Sequence, residues 1–211
     1  MINLFRKKRA VMSKKKKFFS YVLYALGEIS LIVIGILLAL YLQNRNEQKK
    51  TQESLSISLN MLKNEIKTNF KKIDDVKEYH IMIRDTLGTM VIPKEAKGIQ
   101  GALSFWKGMR TPRLQNAAFQ TTIQSGTSKE INPKTLEILN GLYNYQDSYN
   151  DFTSRSAQIF FNADYTNVNS LAKTMASVRM TMNDLDFYER ELSATYEYCL
   201  QQMDSIYPSL K

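Results

Sequence analysis

The chain has 211 residues, 23% of them charged, and a formal net charge of +9. Eight Lys/Arg and no acid fall in residues 1–20, so the other 191 residues hold 21 basic and 20 acidic groups, a balance that excludes a nucleic-acid footprint. A lone cysteine, Cys199, excludes an intramolecular disulfide framework, and one histidine beside one cysteine excludes the usual zinc sets.

The first segment, MINLFRKKRAVMSKKKKFFS, reads as a basic cytoplasmic tail resting on anionic lipid headgroups, each Lys/Arg contributing about 1 kcal/mol near such a surface. Tyr21 to Leu42 follows, 22 residues with a single charge at Glu28. About 20 apolar residues in a helix cross a bilayer core, so 21–42 is expected to be a transmembrane helix. The positive flank places the N-terminus in the cytoplasm and residues 43–211 on the far side. A cleaved signal peptide is the competing reading, with Ala25-Leu26-Gly27 at cleavage-like spacing. Cleavage there would leave fourteen more mostly apolar residues behind, which favours an uncleaved signal anchor.

Glu28 is the first residue that asks for a role. A carboxyl group inside a bilayer costs several kcal/mol unless it is protonated, paired or snorkelled. Helical stepping puts Glu28, Ile32, Gly35 and Ala39 on one face, and Gly35-x-x-x-Ala39 is a small-xxx-small pattern that lets helices approach closely. Three roles are open to Glu28: a hydrogen bond across a helix–helix contact, a snorkelled group at the headgroups, or a proton-handling group of a membrane partner. The contact role fits the small face.

Beyond the span, Leu55, Leu59, Leu62, Ile66, Phe70, Ile73, Val76, His80, Ile83 and Leu87 recur at steps of three and four, one helical stripe. No Pro or Gly lies between Leu42 and Leu87, so the span is expected to run on as one helix; a hinge near Asn44–Asn46 is the alternative. Gly88 and Pro93 end it. A short, weak helix is expected over 94–108, around Trp106. Thr111 and Pro112 give a cap-and-proline signal for a helix over 112–124, stopped by Ser125-Gly126. Arg110 and Arg113 beside that start read as an anion site or as solvated surface. Asn132-Pro133 repeats the signal and opens a long helix. A helix is expected over 167–180, a break at Met182-Asn183, and a last helix opened by Asp184 and Asp186.

The order of these features resembles an uncharacterised family of single-pass inner-membrane proteins of Gram-negative bacteria. The likeness rests on YALGEISLIVIGILLALYLQNRNEQ and on NAAFQTTIQSGTSKEINPKTLEILNGLYNYQDSYN. Relatives of this kind often carry Asn-Trp after the span, where this chain has Asn44-Arg45. The resemblance implies a topology and a fold, and no activity.

The expected fold is all-α: one transmembrane helix continuing into a periplasmic antiparallel helical bundle. His80 on an apolar stripe reads as a packed histidine, and Cys199 as a small hydrophobe. Tyr143, Tyr145 and Tyr149, near Asp147 and Asp151, could line a ligand pocket, or simply fill the core. No phosphate loop, paired catalytic carboxylates or nucleophile elbow is recognisable. The expected function is non-enzymatic and cofactor-free: a homo-oligomer, or an accessory subunit bound to a membrane-protein partner in an envelope complex. A ligand-sensing bundle that signals through a partner is the alternative, and a proton-coupled component using Glu28 the second.

Overall fold

The computed structural model describes the backbone of residues 2–91, 103–161 and 168–208. Its elements are α1 (Ile2–Thr89), α2 (Ala117–Gln124), a short 3-10 turn (Thr127–Glu130), α3 (Pro133–Phe161) and α4 (Val168–Ile206), with no strand among the described residues. Two compact units divide the chain, Met1–Glu53 and Ser54–Lys211. α1 contributes to both and is helical through Asn44–Asn46, the site of the alternative hinge.

In the first unit, α1 is long and apolar enough to cross a membrane. Fifteen large apolar side chains from Tyr21 to Leu42 are exposed, so nothing in this unit shields them. The Ser30 hydroxyl donates to the Leu26 carbonyl at 2.8 Å, which satisfies a polar group inside the apolar run.

The second unit is built on the α1 stripe read from the sequence and on apolar faces of α3 and α4 that pack with it. Leu55, Leu59, Leu62, Ile66, Ile73 and Ile83 of α1 are buried, as are Leu139, Tyr143 and Tyr149 of α3 and Leu185, Leu192, Tyr196, Cys199 and Met203 of α4. Each such aliphatic side chain contributes about 1.5–3 kcal/mol by leaving water. Cross-helix pairs fix the directions. Lys63–Asp204, His80–Glu189 and Arg84–Asp186 run oppositely along α1 and α4, so those helices are antiparallel. Tyr149–Glu189 and Gln146–Tyr196 give the same sense for α3 and α4.

Three expectations are corrected. α4 has no break at Met182-Asn183, because Thr181, Met182, Leu185 and Asp186 are all buried and successive turns pack without interruption. Asp186 does not sit in a first turn; it accepts from Arg84 of α1 and from Arg190 one turn on. α2 begins at Ala117 and not at Pro112, for a reason that belongs to the site below. The helix expected over 94–108 lies mostly outside the described residues, and its described part, 103–108, holds a turn and no helix. Two signals did mark boundaries. Gly126 closes α2 at φ 77°, where a side chain would be strained. At the start of α3, the Asn132 side-chain oxygen accepts from the Lys134 N–H at 2.9 Å, with Pro133 at the first helical position.

Candidate functional site

Two regions hold the residues that the sequence singles out, and each belongs to one unit. On the apolar segment of α1, Glu28, Ile32, Gly35 and Ala39 are all exposed. A Cβ added at Gly35 would meet nothing within 4 Å, so the small face lies open. Glu28 has no hydrogen-bond or ion-pair partner among the described residues. One carboxyl group and two small residues thus share an uncovered apolar helix face.

The second region is a polar clamp inside the helical unit. Residues 106–116 form an extended strap without helix, running antiparallel along α1. The strap is gripped at its backbone. Tyr79 Oη donates to the Gly108 carbonyl at 2.7 Å and accepts from the Lys107 N–H at 2.9 Å. His80 Nε2 meets the Met109 carbonyl at 2.7 Å. Lys72 Nζ donates to the Arg113 carbonyl. Asn69 pairs with both peptide groups of Gln115, accepting from its N–H at 2.9 Å and donating to its carbonyl at 2.7 Å. Asn150 of α3 does the same for Leu114, and Gln146 Nε2 adds a second donor to the Gln115 carbonyl. A helix starting at Pro112 would use these peptide groups internally; three side-chain amides take them instead.

Glu65 ends the clamp. Its carboxyl oxygens accept from the N–H groups of Ala118 and Phe119, two of the orphan donors at the start of α2, and from Tyr143 Oη at 2.8 Å. A side chain from α1 therefore caps α2, where an acidic group also suits the helix dipole. Arg110 and Arg113 do not serve that helix start: Arg110 stands over the Tyr79 ring at 5.2 Å, and Arg113 is exposed. Arg110 itself has φ 52°, a left-handed conformation that a non-glycine residue holds only when its surroundings impose it.

Of the three pocket tyrosines, Tyr143 and Tyr149 are buried in the core. Tyr143 stacks on Phe119 at 4.3 Å, and Tyr149 Oη donates to Glu189 at 3.2 Å. Burial, reinforced by the charge of Glu65 for Tyr143 and of Glu189 for Tyr149, pushes both phenols well above their ordinary range. Tyr145 lies on another face of α3, half-buried against the Tyr188 ring at 5.4 Å. Burial likewise raises the Cys199 thiol to about 12. Among the described residues, no group of three or more His, Cys, Asp and Glu side chains is placed to hold a metal ion.

Sequence reasoning passed over Glu65, Asn69, Gln146 and Glu189. A signal was present: Leu62, Glu65, Asn69 and Ile73 step by three, four and four, so two polar residues occupy core positions of the α1 stripe. Glu189 fills the same kind of position between Leu185 and Leu192.

Residues 28–95 match a family described as a family of unknown function, DUF6090. The match takes in the Glu28–Ala39 face and the α1 side of the clamp, and stops short of the second resembling block, residues 116–150. No curated protein matches the chain. No solved structure matches it either.

Proposed function

We propose that this chain is a non-enzymatic membrane-anchored protein whose apolar helix self-associates through the Glu28, Ile32, Gly35 and Ala39 face. The basic tail sits in the cytoplasm of a Gram-negative cell, and the helical unit lies in the periplasm as part of an envelope assembly. One observation carries the reading: an apolar helical segment, uncovered within its unit, holds one carboxyl group beside two small residues. In lipid, a second helix is the partner that both lets backbones approach at Gly35 and gives a protonated Glu28 a hydrogen-bond acceptor. The polar core of the second unit supports a structural role over catalysis, since its carboxyl, imidazole and amide groups are buried and, Glu189 Oε2 apart, bonded to one another and to backbone.

Native mass spectrometry of the intact protein, extracted gently from its own membranes, tests the proposal. A homo-oligomer that Gly35→Leu converts largely to monomer, with Glu28→Gln close to wild type, is the expected result. An oligomer mass unchanged by Gly35→Leu rejects this face. A stoichiometric foreign subunit in place of self-association makes the chain an accessory protein of that partner.

A further inference from the structure

A cavity of about 550 Å³ lies between the end of α1 and the first turns of α4, within the size range of small-molecule sites. Its origin is legible in the residues that make it. Ala172 and Ala176, one turn apart on α4, present only methyl groups to it. Leu87, Met90, Met175 and Met180 give it an apolar wall; thioether side chains adapt to irregular shapes, and Met180 is 70% exposed at the mouth.

The polar side of the cavity is unevenly committed. Arg84 is neutralised, its Nε donating to Asp85 and one terminal nitrogen to Asp186. Arg179 is not. Its guanidinium lies flat over Gly88, close enough that a Cβ there would stand 3.2 Å from it. Among the described residues it makes no hydrogen bond or ion pair and feels Asp85 only through space. A guanidinium fork with open donors fits a carboxylate bidentately. Asp85 and Asp184 at the same cavity repel a second negative charge, which disfavours a phosphate dianion.

A second, smaller recess of about 50 Å³ shares Leu87 and Met175 with the first and is walled by Leu103, Phe105 and Trp106, with almost no polar surface. The two together are charged at one end and greasy at the other. The geometry points to a binding site for a monocarboxylate amphiphile, its acid group on Arg179 and its chain running past Met175 toward Trp106. This goes beyond the assembly role and is independent of the membrane face.

Trp106 is the only tryptophan, so its fluorescence reports the site directly. The full-length protein in phosphatidylcholine nanodiscs is titrated with 12-bromododecanoate, whose bromine quenches a tryptophan near the chain end. Saturable quenching is expected, relieved by dodecanoate and not by dodecanol. Arg179→Gln, a change at an exposed position, weakens it at least tenfold. Gly88→Leu displaces the guanidinium while keeping its charge and helix, and has the same effect, with circular dichroism unchanged. Quenching that rises linearly without saturation overturns the site. So does saturable quenching that is equal in wild type and both variants, or that dodecanol relieves as well as dodecanoate.

Discussion

His80 and Glu189 face each other at 2.7 Å with neither side chain exposed. His80 Nε2 points at a carbonyl, which only accepts, so that nitrogen carries hydrogen. The other ring nitrogen and the Glu189 oxygen therefore hold one proton between them. Tyr149 donates to the same oxygen, while Glu189 Oε2 has no partner among the described residues. An arrangement with one oxygen already unsatisfied tolerates no further loss. His80→Ala strands a buried carboxyl group and the Met109 carbonyl together, and is expected to cost about 3–5 kcal/mol. Urea unfolding of the full-length protein, followed by Trp106 fluorescence, measures it. A cost below about 1 kcal/mol would show that the pair is dispensable, since truncating one partner of a buried pair is the severe case. The period of the α1 stripe places this histidine correctly in the core. Its partner, 109 residues away, has no trace in a local pattern.

At the scale of elements, the strap is held by side chains of α1 and α3 rather than by a core of its own. Asn69 alone makes two bonds to Gln115 and one to Gln146, and Gln146 in turn accepts from Tyr196 Oη at 2.6 Å. Asn69→Ala removes three bonds and leaves the part-buried Gln115 N–H without a partner, while Gln146 still holds the Gln115 carbonyl; the expected cost is about 1–3 kcal/mol. Amide exchange at residues 114–119 should accelerate more than exchange in the middle of α4, because the strap opens locally before the unit unfolds. Uniform acceleration across the unit would show that the strap has no independent opening. The long helices were legible in the sequence, α4 as two pieces, because their apolar residues repeat at the helical period over many turns. The strap was not, since Thr111-Pro112 is a sound local start signal and what overrides it comes from residues 69, 146 and 150. The break assigned to Met182-Asn183 failed in the same way. Asn and Asp there favour a cap locally, but burial of Met182 and Leu185 on successive turns keeps the helix whole. On the apolar segment, the sequence places Glu28, Gly35 and Ala39 on one face but carries no partner helix to pair them with.

At the scale of the molecule, the helical unit keeps protonated groups in its core, and this sets its response to alkali. Burial holds the phenols of Tyr143, Tyr149 and Tyr196 well above the ordinary value of 10.0, and lifts the Cys199 thiol from 9.0 to about 12. The folded state keeps these protons while the unfolded chain releases them, so above pH 9 the unfolded state binds fewer protons and stability falls as pH rises. The contribution is fully present below pH 9. At pH 11 the three tyrosines and the thiol together remove about 7 kcal/mol, comparable with the whole stability of a domain this size. Unfolding between about pH 10 and 11.5 is therefore expected to be cooperative, and the buried phenols should ionise only with it. Absorbance at 295 nm and Trp106 fluorescence, followed together against pH, check this. The phenols of Tyr143, Tyr149 and Tyr196 should ionise in a steep phase that coincides with the fluorescence change. Cys199 should stay closed to a maleimide at pH 8 and become reactive in that same steep phase. All phenols ionising smoothly while the Trp106 signal stays native would mean that water reaches the core without unfolding. The Glu65–Tyr143 and Glu189–Tyr149 contacts would then not be the dry, interlocked centre that joins α1, α3 and α4.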